Sequence, residues 1–178
     1  MFKKWRAALV VWLPILGAAA GLTPANATAT TTIPFTARMY LCSFEPEIDR
    51  VSGDKILHLY NAVNHNLWVA TTPLITGWGD NSVDATINLA TGTGVAHPHS
   101  VMRPFAYDGT WQVVVQLTVT PTGLQGDGTG HGTGALQGMT MKFHPTGGIQ
   151  LQPGENPCSD EFLFAGLLAG EVFIPANA

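Results

Sequence analysis

Glycine occupies every second position from 126 to 134 in the segment 126–138, GDGTGHGTGALQG. The spacing lacks the i, i+2 and i+5 glycines of a dinucleotide-binding turn, and no Gly-Lys-Ser/Thr of a P-loop follows. A calcium-binding nonapeptide array needs repeated aspartates, whereas Asp127 stands alone. A period of two instead predicts a strand with one bare glycine face and with Thr129 and His131 on the other face. Such a strand suits a sharp bend in a barrel wall or the floor of a ligand cavity.

The rest of the domain also shows strand signals, since no window carries a convincing apolar stripe with a period of 3.6 residues. In the clearest alternation, 107–120, Val113, Val115 and Leu117 share one face. Besides the glycine segment, the predicted strands are 33–44, 54–63, 67–72, 73–78, 82–94, 107–120, 139–144 and 161–175, and the predicted turns are 121–123 and 145–148. The pattern indicates an all-β, antiparallel domain, either a closed barrel or a sandwich, and a closed barrel has no exposed sheet edge.

The N-terminus has the three parts of a secretory signal peptide. A positive head at residues 3–6 precedes an apolar run at 7–22, and Ala25-Asn26-Ala27 offers small residues for cleavage. An uncleaved anchor helix is the alternative, but the apolar run is short. The predicted organisation is a signal peptide at 1–27, a disordered leader at 28–32 and a single β-barrel domain at 33–178. We therefore expect a secreted protein, extracellular or periplasmic, with no membrane association after cleavage.

The exported part of the chain is acidic. After residue 27 it holds five basic and twelve acidic side chains, a formal net charge of −7. These residues form no basic patch, so neither nucleic acid nor an anionic membrane is an expected partner. The apolar content is ample for a core, so we expect an ordered domain. The sequence is compatible with an oligomer.

Two cysteines, Cys42 and Cys158, follow the predicted cleavage site. Because disulfides form in oxidising compartments, we predict that these two residues are bonded to each other. The bond would close a loop of more than a hundred residues. On the chain-entropy model it would stabilise the fold by roughly 4–5 kcal/mol. A catalytic thiol is the alternative, but it needs a nearby base and leaves the second cysteine unexplained.

The candidate ligand-binding residues are aromatic or carry an imidazole: Trp68, Trp78, Trp111, His131 and Tyr60. The three tryptophans would line a cavity in the barrel, and packing in the core or at a barrel end is the alternative. Tyr60 lies in a predicted strand, where it either points into the cavity or faces solvent. His131 alternates with glycines, which makes it the one functional candidate of the glycine segment.

A second pattern, His97-Pro98-His99, places two imidazoles on one side of an extended chain. With His131 or His144 they would offer three nitrogen ligands to zinc or copper. No third ligand lies at a diagnostic spacing, so we favour solvated loop residues at His97 and His99 and predict no metal site. The serines lack a Gly-x-Ser-x-Gly elbow, so no hydrolase triad is predicted.

The stretch 132–143, GTGALQGMTMKF, resembles a hairpin motif of allene oxide cyclase barrels and of the related plant dirigent proteins. That motif reads Gly-Thr/Ser-Gly-x-Phe-x-Gly-Ala. Four positions match it: Gly132, Thr133, Gly134 and Gly138. Leu136 stands where the family has an aromatic residue, and Met141 where it has a further glycine. The whole chain also resembles secreted bacterial proteins in which an Asp-Gly-Thr-Trp step, here at 108–111, precedes such a hairpin.

This resemblance implies an eight-stranded closed β-barrel of the allene oxide cyclase type, with a calycin-like architecture. Family members that act on small molecules do so inside the barrel, without a metal or an organic cofactor. Their active residues differ between branches, so no catalytic residue carries over to this chain. Three hypotheses follow. The chain is a secreted barrel that binds a small apolar molecule without a cofactor, a cofactor-independent cyclase or isomerase that uses the same cavity, or a structural or interaction module of the cell envelope with a filled barrel.

Overall fold

The computed structural model describes residues 30–45, 48–53 and 55–176. The predicted signal peptide and the first two residues of the predicted leader lie outside the described residues. In the described part of the chain the strands are β1 (Thr30–Glu45), β2 (Ile48–Ser52), β3 (Ile56–Ala70), β4 (Gly77–Asn88), β5 (Thr93–Pro104), β6 (Gly109–Thr120), β7 (Gly123–Gly134), β8 (Thr140–Gln150) and β9 (Phe164–Pro175). Within these same ranges, no helix has the length and apolar character needed to cross a membrane.

The strands form one antiparallel sheet that closes into a barrel. Its hydrogen-bonded order is β1-β9-β8-β7-β6-β5-β4-β3, and β1 pairs with β3 to complete the ring. The short strand β2 lies outside the barrel as an extra strand and pairs with β3. The prediction of an all-β, antiparallel, eight-stranded closed barrel is therefore confirmed.

One half of the barrel, which we call the packed half, is filled with apolar side chains. The β3–β4 and β7–β8 loops close this end and bury Leu74, Ile75 and Leu136. Trp111 donates a 2.8 Å hydrogen bond from its indole Nε1 to the backbone oxygen of Leu74, which ties the first of these loops to the wall. The other buried residues of this core are Phe35, Ala37, Trp68, Met102, Val113, Val115, Met141, Phe143, Leu168 and Val172.

The glycine segment forms most of strand β7, with the alternation that its period of two predicts. Gly128 and Gly130 are buried and face the interior, whereas His131 is exposed. The bare face of β7 receives large side chains from β8. A Cβ atom on Gly130 would come within 2.5 Å of Met141, and one on Gly128 would overlap the ring of Phe143. The glycines therefore make room for two large core residues.

The barrel begins earlier than the sequence predicts. Strand β1 starts at Thr30, so residues 30–32, assigned above to a disordered leader, are strand residues. They pair with residues 173–175 at the end of β9. Threonine is compatible with extended backbone because its Cβ is branched. The leader assignment is wrong for these residues because the last strand supplies backbone partners that the composition of the segment does not reveal.

Strand β5 is absent from the predicted strands because it contains Pro98. The β5–β6 ladder is interrupted between Ala96 and His99, at the point where proline has no N–H to donate. On the other side the β4–β5 ladder runs through Pro98 without a break. His97 and His99 are consequently strand residues, which corrects their assignment to a loop.

Two further strands are longer than predicted. The predicted turn at 145–148 lies inside β8, which accommodates it by a register shift. The predicted strands 54–63 and 67–72 belong to one strand, β3, which bends at a register shift between Leu59 and Ala62. In both cases an irregularity in the ladder allows the strand to continue through residues that favour a turn.

The disulfide prediction is confirmed. Cys42 in β1 is bonded to Cys158 in the β8–β9 loop, with Cα atoms 5.3 Å apart. Asn156 in the same loop donates hydrogen bonds to the backbone oxygens of Leu41, at 2.8 Å, and Phe162, at 2.7 Å. A second apolar cluster, separate from the packed half, involves Tyr40, Leu67, Ile149, Leu151, Cys158, Leu163 and Ala165. The loop is therefore fastened against the outer side of the wall.

Candidate functional site

Four polar side chains form a group inside the barrel, which we call the amide cluster. Asn64 and Asn66 come from β3, Asn81 from β4 and Ser100 from β5, and all four are buried. Asn64 is the cross-strand neighbour of Asn81, which in turn is the neighbour of Ser100. Side chains at directly opposed positions lie close enough to interact, so the register places these three in a row across three strands.

A chain of hydrogen bonds connects the amide cluster to Trp68. The indole Nε1 of Trp68 donates to Oδ1 of Asn66 at 2.8 Å, and Nδ2 of Asn66 donates to Oδ1 of Asn64 at 3.0 Å. Nδ2 of Asn81 donates to the same Asn64 oxygen at 2.8 Å. Among the described residues, Asn81 Oδ1 and Ser100 Oγ have no hydrogen-bond partner although both atoms are buried. Most buried polar atoms in folded proteins are paired, so these two atoms are unsatisfied hydrogen-bonding groups inside the barrel.

Gly79 on β4 gives the amide cluster its space. It lies opposite Asn66 in the β3–β4 ladder and is buried. A Cβ atom at this position would lie 2.5 Å from Oδ1 of Asn66 and 3.2 Å from Nε1 of Trp68. Because Gly79 has no side chain, the hydrogen bond between Trp68 and Asn66 can lie close against β4. A larger residue at position 79 would displace it.

Beyond the amide cluster lies the second half of the barrel, which we call the open half. Its inward-facing apolar side chains are only partly buried: Leu57, Leu59, Val83, Ile87 and Val119. Other inward positions carry small buried residues, Ala62 on β3, Ala85 on β4 and Ala96 on β5. The turns at 89–92 and 121–122 join the strands here and are largely exposed. The open half thus carries partly exposed apolar side chains toward its mouth and small buried residues nearer the amide cluster.

The predicted ligand-binding residues do not share one site. Trp68 and Trp111 are buried inside the barrel, Trp68 at the amide cluster and Trp111 in the packed half. Trp78 is 43% exposed and Tyr60 is 50% exposed, both on the outside of the wall. His131 is exposed on the outer face of β7. Of these five residues, the structure brings Trp68 alone to the inner polar group.

His97 and His99 both project outward from β5 and are exposed. In the β4–β5 ladder they lie opposite Asp84 and Ser82 respectively. The proline between them faces the interior, as the alternation of the strand requires. Across the described ranges of the chain, no group of three or more His, Cys, Asp or Glu side chains is placed to hold a metal ion.

The outer wall carries a charged group next to a groove. Asp80 accepts a hydrogen bond from Arg103, and its Oδ1 lies 2.6 Å from Nδ1 of His65. The Arg103 hydrogen bond lowers the pKa of Asp80, partial burial opposes this, and His65 lowers the pKa further. A groove of about 400 Å³ beside the group is lined by residues that include Ser82 and His99. These charged and polar side chains face outward and form a surface network, and Asn81 and Ser100 of the amide cluster also line the groove beside it.

The sequence patterns do not predict the amide cluster, because asparagine and serine usually face solvent. The register that aligns the cluster also depends on the register shift in β3, which no sequence motif predicts. One signal is present in the sequence. In the stretch NHNLW, Asn64 and Asn66 alternate in phase with Trp68, so the two asparagines share a face with a large residue that favours burial.

No protein-family model, curated protein or solved structure gives a significant match to this chain. The chain is established as an eight-stranded antiparallel closed β-barrel by its strand pairing alone.

Proposed function

We propose that this chain is an exported barrel protein that binds a small, largely apolar molecule in its open half without a cofactor. The observation that carries the proposal is the partial exposure of inward-facing apolar side chains in the open half, next to a half that is fully packed. An apolar recess with a few polar groups at its inner end is the usual form of a small-molecule site. The packed half would provide its floor.

Two features support the exported setting and the type of barrel. The disulfide between Cys42 and Cys158 suits an oxidising compartment, in agreement with the predicted signal peptide. The stretch 132–143, which resembles allene oxide cyclases and dirigent proteins, falls on the β7–β8 hairpin of an eight-stranded barrel. We therefore include a relationship to that type of barrel in the proposal.

The polar groups of the interior favour binding over acid–base catalysis. The amide cluster consists of carboxamides and one hydroxyl, and none of these exchanges a proton readily near neutral pH. A cyclase or isomerase that only orients its substrate is the second candidate, and incubation of bound compounds with product analysis would separate it from a binding protein. A structural module with a filled barrel is the third. The packed half suits such a module, whereas the partly exposed apolar side chains of the open half do not.

A fluorescence titration with the lipophilic probe N-phenyl-1-naphthylamine tests the proposal. The wild-type protein should bind the probe saturably, with enhanced emission because the probe enters an apolar site. Ala96→Leu adds bulk to an inward position of the open half and should weaken binding by at least about tenfold. Val95→Leu is the matched control, because Val95 is the adjacent residue on β5 and faces outward. Equal binding by the two variants, or no saturable binding by the wild type, would contradict the proposal.

A further inference from the structure

We propose that the outer wall of the barrel carries a binding site for a neutral oligosaccharide. The site consists of the groove over β4, β5 and β6 and of an exposed aromatic pair beside it, Trp78 and Phe105. Because these residues lie on the outside of the barrel, this is a second site, and its test does not depend on ligand binding in the open half.

The groove is centred on Val101, an outward-facing residue of β5. Its cross-strand neighbours are Asp80 on β4 and Gln112 on β6. Its neighbours on the same face of β5 are His99 and Arg103. All four neighbours are polar and have longer side chains than valine, and the groove beside them has a volume of about 400 Å³. Four polar side chains therefore surround a short apolar one.

The four polar groups can bind hydroxyls both as donors and as acceptors. The guanidinium of Arg103 only donates and the carboxylate of Asp80 only accepts, whereas Gln112 and neutral His99 do both. A hydroxyl group also does both, so adjacent hydroxyls of one sugar match this mixture. The opposite charges of Asp80 and Arg103 cancel, so the site favours neither an anion nor a cation. A neutral polyhydroxylated molecule fits these groups best.

Hydrogen bonds hold several of these side chains in place before a ligand binds. Arg103 donates to Asp80, whose Oδ1 lies 2.6 Å from Nδ1 of His65. Nε2 of Gln112 donates to Oγ1 of Thr110 at 3.3 Å. A carboxylate offers about four acceptor positions, so Asp80 can still accept from a ligand hydroxyl. Such preorganisation reduces the entropy that binding costs.

Trp78 and Phe105 extend the site beyond Arg103. Trp78 lies opposite Arg103 in the β4–β5 ladder and two residues from Asp80, about 7 Å along the strand. Trp78 is 43% exposed and Phe105 is 60% exposed, and their rings meet edge to face with centroids 6.2 Å apart. The C–H groups on the face of a sugar ring are slightly positive and pack against the negative face of an indole. One sugar unit can therefore stack on Trp78 while the next contacts the polar groups around Val101.

The mixture of aromatic and charged groups disfavours a purely apolar partner. Such a partner would cover Trp78 but would also remove water from Asp80 and Arg103 without replacing its hydrogen bonds, which costs free energy. A sugar presents C–H groups on its ring faces and hydroxyls at its edges. It can therefore contact the aromatic pair and the charged pair at the same time.

Titration with three neutral oligosaccharides tests the inference: cellotetraose, maltotetraose and tetra-N-acetylchitotetraose, each to about 10 mM. We expect at least one to cause saturable NMR shifts of the Trp78 indole N–H, the Gln112 side-chain amide and the Val101 methyl groups. The backbone signals of Lys142 and Glu171, in β8 and β9, should not change. No saturable shift with any of the three, or shifts away from the groove and the aromatic pair, would overturn the inference. Tighter binding of the anionic tetragalacturonate would overturn the assignment to a neutral ligand.

Two variants assign the binding to this surface. Trp78→Ala and Gln112→Ala should each weaken binding of the tightest oligosaccharide by at least about fivefold. Phe164→Ala is the control, because Phe164 is an exposed aromatic residue on β9, and it should keep the wild-type affinity. If Trp78→Ala does not fold, Gln112→Ala alters an exposed side chain and provides the second test. Wild-type affinity in the folded variants, or an equal loss in Phe164→Ala, would overturn the assignment.

Binding of N-phenyl-1-naphthylamine distinguishes this inference from the proposed function. Gln112→Ala should bind that probe as the wild type does, because the altered side chain lies outside the barrel. Oligosaccharide binding without probe binding would leave this site standing and contradict the proposed function. Probe binding without oligosaccharide binding would do the reverse. Parallel loss of both in Gln112→Ala would contradict the separation of the two sites.

Discussion

The indole nitrogen of Trp68 and the side-chain oxygen of Asn66 lie 2.8 Å apart inside the barrel. The hydrogen bond between them joins the packed half to the amide cluster. On its apolar side, the Trp68 ring meets the ring of Phe143 edge to face, with centroids 5.6 Å apart. On its polar side, it orients Asn66 and, through Asn64, the free oxygen of Asn81. One side chain thus contributes both to the core and to the polarity of the candidate site.

Replacement of Trp68 by phenylalanine should destabilise the protein by about 1–3 kcal/mol, because it leaves the buried Asn66 oxygen without its donor. Urea denaturation of the wild type and the variant measures the change. Trp78→Phe is the matched control. Trp78 lies outside the barrel and is substantially exposed, so its replacement should change stability by no more than about 0.5 kcal/mol. A similar loss in both variants would contradict the role of the Trp68–Asn66 hydrogen bond.

Gly128→Ala should also destabilise the barrel, by about 1–3 kcal/mol, since the added Cβ atom would overlap the ring of Phe143. Thermal unfolding followed by circular dichroism measures the loss. Thr129→Ala, on the exposed face of the same strand, should have little effect. The double variant Gly128→Ala/Phe143→Leu should lose less than the two single changes added together, because the smaller side chain relieves the overlap. Strict additivity would argue against the packing of Phe143 on the glycine face.

The double variant Cys42→Ser/Cys158→Ser should be less stable than the oxidised wild type by up to about 4–5 kcal/mol. The bond spans 116 residues, and its loss gives the unfolded chain more conformational freedom. Guanidinium denaturation with and without reductant checks this. Reductant should lower the midpoint of the wild type to that of the double variant and should leave the variant unchanged. An unchanged wild-type midpoint after complete reduction would contradict a stabilising role for the bond.

Asp80 should make stability depend on acid pH. Its pKa is lowered in the folded protein, chiefly by the hydrogen bond from Arg103. A lowered pKa stabilises the folded state above the unfolded value, near 4, and this contribution is lost as pH falls through the folded pKa. The wild type should therefore exceed Asp80→Asn in stability at pH 6, and the difference should shrink below about pH 4. Because the Asp80 side chain is 42% exposed, the difference should be at most about 1 kcal/mol and should decrease in about 1 M salt. A difference that grows on acidification would contradict this account.

Alternation in the sequence predicts the barrel well where each strand is regular. The apolar face of β6 and the glycine face of β7 follow directly from a period of two, because a strand turns successive side chains to opposite faces. The prediction is incomplete where a ladder is irregular. Pro98 lies in β5 at a break in the pairing with β6, and residues 145–148 continue β8 through a register shift. Local composition favours a turn at both places, and tertiary pairing overrides it.

The candidate site was harder to predict than the fold. Aromatic residues and histidines are common ligand-binding residues and are therefore the predicted ones, yet Trp78, Tyr60 and His131 lie on the outside of the barrel. The amide cluster depends on which residue of β4 lies opposite Asn64, and this is decided by pairing between strands that one sequence does not reveal. The direction of its hydrogen bonds also depends on the contact between Trp68 and Asn66. Alternation predicts that these two residues share a face of β3, but it does not predict which Asn66 atom meets the indole.

A small, largely apolar molecule should enter the open half and contact its inner wall. Methyl NMR spectra recorded during a titration with 1-decanol test this most directly. We expect progressive, saturable shifts of the methyl signals of the inward residues Val83, Ala85 and Ala96. We also expect unchanged signals for the outward residues Val95 and Val101 on the same wall. Shifts confined to the outward methyl groups, or no saturable shift at any of the five, would contradict it.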